Sequence, residues 1–109
     1  MLNEAKSMMR VRTDLYDAEI MSLLAAGEKD LRMSGIRVPG KVAYRVGETS
    51  VTDLSTLTDE YVKRAVITFA ASRFDRNPST AAMYRDAYLE QKKQMMGTTG
   101  YTDFGEGKG

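Results

Sequence analysis

The stretch AVITFAASRFDRNPS, Ala65 to Ser79, constrains this chain's fold more than any other. Val62, Ala65, Val66, Phe69, Ala70 and Phe74 recur as one face of a helix, and only Arg73 interrupts the stripe with charge. Pro78 then disfavours the helical conformation at Asn77, so the helix must end before it. Asn77 suits the N-cap of a following helix, with Pro78 at its first position, where a missing N–H costs nothing. Arg73 and Arg76 lie at the negative end of the preceding helix, where cations are stabilised. RFDRNPS therefore reads as a tight helix–helix turn whose polar residues have local structural roles.

The neighbouring elements follow from the same reasoning. Leu57 and Val62 are expected to form a hydrophobic staple around a Thr58 cap, with Asp59 and Glu60 in the first turn of the third helix. The last helix extends from Pro78 to about Met96. Ala81, Tyr84, Tyr88 and Met95 mark one face, Met83, Ala87 and Leu89 widen the apolar surface, and Gly97 ends it. Upstream, Leu2 to Met9 reads as a short helix with Leu2, Ala5, Met8 and Met9 on one side. A longer helix follows, capped by Thr13 or Asp14, carrying Tyr16, Ile20, Leu23, Leu24, Gly27 and Leu31 on one face and stopping at Gly35. Ala25-Ala26-Gly27 leaves room for another backbone to approach.

Ile36 to Leu57, IRVPGKVAYRVGETSVTDLSTL, has a different character. Pro39-Gly40, the alternating Val42, Tyr44 and Val46, then Gly47 and several Ser and Thr predict a long connection with one short strand or hairpin. So long a connection in a small domain usually contacts something or is disordered. The expected fold class is thus all-α: a small bundle of three to four helices over residues 1–96, with a long loop at 36–57. A flexible tail, 97–109, is expected to follow, because GTTGYTDFGEGKG holds five of the nine glycines and cannot build a core. Tyr101 and Phe104 are costly to leave in water, so the tail is expected to order on a partner.

Composition narrows the function. A chain of 109 residues has room for one domain, and 42% hydrophobic residues argue against overall disorder. Cys and His are both absent, which removes thiolate chemistry, zinc sites and the commonest general base. The acidic pairs Asp59-Glu60 and Asp14-Asp17 sit at helix starts, where capping accounts for them. Gly-Lys-Gly at the end lacks the strand and helix of a phosphate-binding loop. No catalytic residue, metal or cofactor is therefore expected. Sixteen basic against fifteen acidic residues leave a charge of +1, short of the basic excess usual for a duplex DNA binder. Arg64, Arg73, Arg76 and Arg85 keep a small helical DNA-binding regulator as the alternative reading. Among the eight methionines, Met8, Met9 and Met95 are expected in the core, and Met33 and Met96 at an interface. The polar start MLNEAKSMMR and the lack of a long apolar run lead to the expectation of a soluble intracellular protein with no membrane partner.

The order of these features is recognisable. LNEAKSMMRVRTDLYDAEIMSLLAAGEKDLRMSGI and DEYVKRAVITFAASRFDRNPS resemble the small head–tail connector (adaptor) proteins of tailed double-stranded DNA phages. The matching pattern is a short helix, a longer one from an acidic turn at Asp14 to Glu19 with an Ala-rich middle, a variable insertion, and an Ala-rich helix running into Phe74 to Arg76. Asn77-Pro78 directly after the arginines makes this turn tighter than the family pattern. The resemblance implies a structural virion protein at the head–tail junction, made in the host cytoplasm and assembled as a homo-oligomeric ring. The implied partners are the portal protein and a stopper or tail-completion protein, with genomic DNA passing through the channel without sequence-specific binding. On this view Tyr101 and Phe104 dock on the portal, and Arg73, Arg76 and Tyr44 lie at the subunit interface.

Overall fold

The computed structural model describes residues 1–97. These are mostly helical, with four helices and one small sheet: α1 (Leu2–Met9), α2 (Asp17–Met33), β1 (Tyr44–Val46), β2 (Val51–Asp53), α3 (Glu60–Phe74) and α4 (Pro78–Met96). The expected helical class fits, and the short strand or hairpin expected within 36–57 is an antiparallel pair of strands. Its register pairs Tyr44 with Asp53, Arg45 with Thr52 and Val46 with Val51. The tail expected at 97–109, with Tyr101 and Phe104, lies outside the described residues beyond Gly97.

α3 is the central element. Every residue from Ala65 to Ala71 is buried, so the helix is covered all round, by α1, α2 and α4. The one polar side chain in that run, Thr68, donates its hydroxyl to the Arg64 carbonyl at 2.8 Å, which removes the cost of burying it. The close approach expected in α2 occurs at Gly27, where an added Cβ would lie 3.2 Å from the Val66 carbonyl oxygen. α2 packs on both α1 and α3, so its buried face is wider than one stripe. It takes in Met21 and Asp17, while Leu23 is only half-buried and Tyr16 is exposed.

The helix ends show which local expectations hold. Asn77 caps α4, accepting from the Ser79 and Thr80 amides at 2.9 and 3.2 Å, with Pro78 beginning the helix. Gly35, at φ 85°, stops α2 through Gly35 N–H to Arg32 O and Ile36 N–H to Leu31 O, at 3.0 and 3.1 Å. Two caps differ from expectation. Asp59, not Thr58, caps α3, taking the Tyr61 and Val62 amides at 2.9 and 3.1 Å; Leu57 and Val62 are both buried in the core but do not flank the cap as a staple. α2 has no side-chain cap: Asp14 is drawn instead to Lys6, which lies 2.8 Å from both Asp14 and Asp17 and so fastens α1 to α2. These two carboxylates hold the Lys6 ammonium above its ordinary pKa.

Candidate interaction surface

Around RFDRNPS the structure places two of the arginines expected at an interface. Asp75 accepts the Asn77 amide at 2.8 Å, so two Asx turns in succession carry the chain from α3 into α4. Arg73, in the last turn of α3, lays its guanidinium over the Phe69 ring, 4.8 Å from the centroid. Arg76 is exposed beyond the end of α3 and has no ion-pair partner among the described residues. It borders a cleft of about 240 Å³ that also involves Tyr16, Phe74, Glu19 and Tyr84. Tyr16 and Phe74 meet edge to face there, with centroids 5.5 Å apart.

Phe69 leads inward to a polar tie between helices. It packs edge to face on Tyr88 of α4, at 5.2 Å. The Tyr88 hydroxyl donates to Asp30 of α2, and Lys92 reaches the same carboxylate at 3.1 Å. Burial works to raise the Asp30 pKa, but the hydrogen bonds from Tyr88 and Lys92 outweigh it and hold the carboxyl below its usual range. Burial and the Asp30 carboxylate both push the Tyr88 phenol far above its ordinary value. Tyr88 therefore stays protonated at any physiological pH and acts as a donor, not as an acid. The sequence gives no local sign of this group, because Asp30 and Tyr88 are remote in the chain.

Tyr44, the third residue expected at an interface, lies elsewhere, half-buried on β1 and packed against the core. The hairpin that carries it is not a free loop. Arg32 of α2 donates to the carbonyls of Val38 and Gly40 at 3.1 and 2.7 Å, and Glu28 accepts the Val42 amide while pairing with Arg32 at 2.7 Å. The ladder continues past the strands through Thr56 N–H to Lys41 O and Leu54 N–H to Ala43 O, both at 2.8 Å. Asp53 anchors the base by accepting the Leu2 and Ser55 amides at 2.8 and 2.9 Å. Burial opposes ionisation there, and these hydrogen bonds with the Met1 amine overcome it, so Asp53 sits far below the usual carboxylate range. Exposed Val46 and Leu54 lie on this arm.

α4 leaves much of its apolar surface uncovered. Only Tyr88 and Met95 are buried. At about 100° per residue, Met83, Ala87 and Gln91 share one side, and Leu89 and Met96 lie nearly opposite. The first side forms, with Met8 of α1 and Ile67 of α3, a groove of about 590 Å³ rimmed by Glu60, Lys63 and Arg64. On the other side, Leu89 and Met96 are 49% and 47% exposed. Met33, 77% exposed, lies in the last turn of α2, one turn beyond Asp30, just as Met96 lies one turn beyond Lys92. The Asp30–Lys92 pair thus brings both methionines to the same end of the molecule. Met95 is buried, as expected, and Met8 and Met9 are half-buried against the core. Among the described residues no cluster of three acidic, His or Cys side chains could hold a metal ion, and no helix is long and apolar enough to cross a membrane.

The chemistry on display is that of contact: aromatic and thioether side chains at helix ends, a pinned arm and an open groove. A family model described as phage connector protein matches residues 1–102. The chain belongs to this family, whose role is structural, in the connection between head and tail. Comparison with curated proteins and with solved structures gave no match.

Proposed function

We propose that this protein is a ring-forming subunit between the portal and the tail or stopper, which extends the DNA channel and completes the head after packaging. The observation that carries this reading is the exposed Met33 and Met96 at one end of a molecule that family membership assigns to a junction, with exposed Leu89 two turns back along α4 on the same side as Met96. Apolar side chains gathered at one end of a folded unit mark a surface that another chain covers. Neighbouring copies or the adjoining ring meet this end and the hairpin arm, including Tyr44. Arg73 and Arg76 face acidic groups of an adjacent subunit, and Tyr101 and Phe104 dock on the portal, since aromatic anchors bury much area with few rotors to freeze. A net charge of +1 suits a channel wall past which DNA must slide. Family membership favours this reading over a DNA-binding regulator.

The test is assembly of the double substitution Met33→Glu with Leu89→Glu. Both positions are exposed, so the circular dichroism spectrum and melting curve should stay close to those of the natural chain. Sizing with portal present should show the natural chain joining the portal complex and the variant remaining free. Assembly of the variant at the natural level would refute the interface.

A further inference from the structure

We infer that the groove between α1, α3 and α4 is a docking site for the chain's own terminal segment, residues 98–109. This concerns the free subunit and stands whether or not the same segment later engages a portal.

The groove has an apolar floor, from Met8, Ile67, Met83 and Ala87, and a polar end at Gln91. Met83 is 59% exposed and Ile67 is buried, so the floor runs outward from the core onto open surface. The Gln91 side-chain oxygen is buried and has no hydrogen-bond partner among the described residues. A buried acceptor without a donor is costly, and an incoming backbone N–H would satisfy it. Arg64, on the rim, likewise has no ion-pair partner among the described residues, whereas Lys63 is engaged by Glu4 and Glu60 at 3.5 and 3.8 Å.

The remaining chain has the length and composition to fill this groove. α4 ends beside its Gln91 end, and Ala87 and Met83 lie about 15 and 21 Å back along the helix from Gly97. Gly97 and Gly100 allow the chain to reverse there. From Tyr101 to Gly109, nine residues at full extension reach about 30 Å, enough to pass Ala87 and Met83. With Tyr101 placed at Gln91, Phe104 falls about 10 Å further along, between Ala87 and Met83. Asp103, beside Phe104, meets the unpaired Arg64 of the rim. Because the segment is covalently attached, the contact benefits from an effective concentration on the order of mM.

The absence of cysteine makes the test clean. A nitroxide is attached to a Thr102→Cys full-length chain, and relaxation of the methionine methyl signals is measured. Met8 and Met83 should lose most of their intensity, and Tyr101→Ala with Phe104→Ala should restore it. Equal losses with and without the aromatic substitutions would overturn the proposal, because they would reflect proximity alone. Losses seen only when labelled chains are mixed with unlabelled, methyl-visible chains would also overturn it, by assigning the groove to a neighbour's segment. A failure here leaves the Met33 and Leu89 assembly test unaffected.

Discussion

Tyr88 of α4 donates its hydroxyl to Asp30 of α2, and Lys92, one turn along α4, reaches the same carboxylate at 3.1 Å. α4 buries only two side chains, so this tie does much to hold the last helix on the rest of the fold. Tyr88→Phe keeps the ring packed on Phe69 but removes the donor, and should lower stability by about 1–2 kcal/mol at pH 7. Burial tends to raise the Asp30 pKa, yet its partners hold it below the ordinary value, so its contribution is full above about pH 4 and is lost as the pH falls. The gap between natural and variant chains in urea unfolding should therefore be wide at pH 7 and narrow at pH 3. An equal gap at both pH values would show that the lost packing, not the charge-assisted bond, sets the effect.

Gly40 is the hinge on which the arm folds back. Its φ is +87°, and an added Cβ would lie 2.2 Å from the Thr56 carbonyl oxygen. Gly40→Ala should cost about 1–3 kcal/mol through backbone strain, and more if Thr56 cannot move. Hydrogen exchange at the Leu54 and Thr56 amides should accelerate well beyond that of α3. Unchanged protection at both amides would mean that the Arg32 contacts alone hold the arm.

The α3–α4 turn and the stop of α2 were legible because their chemistry is local: Asn-Pro, and a glycine two residues past the last helical residue. The start of α2 was not. Asp14 looks like a cap, but Lys6 on another helix competes for its carboxylate, and that pairing has no local signature. The cap of α3 lies one residue beyond the expected Thr58, since Thr58 and Asp59 are both competent caps and the backbone path into the helix selects Asp59. Alternation at Val42, Tyr44 and Val46 signalled the strand, whereas the docking of the arm depends on Glu28 and Arg32, whose i, i+4 spacing equally suits a solvated pair. Surface residues were readable in part. Met33 and Met96 stood out at helix ends, but the groove is assembled from three helices and appears only once they pack.

Arg10 occupies the left-handed region at φ 60°, where α1 stops through Val11 N–H to Lys6 O at 2.9 Å. A non-glycine residue there carries strain of about 1–2 kcal/mol, offset on replacement by the extra freedom glycine gains in the unfolded chain. Arg10→Gly should raise stability by about 0.5–1 kcal/mol, read as a higher melting temperature. A lower melting temperature would show that the arginine side chain contributes more than its backbone costs.

We propose that this chain completes the junction between head and tail by contact. Electron microscopy of particles from the phage that encodes it, with its gene disrupted, tests that most directly. DNA-filled heads without tails should accumulate, and supplying the natural chain should restore tailed particles while Met33→Glu with Leu89→Glu should not. Particles with an intact head–tail junction in the absence of the chain would refute that role.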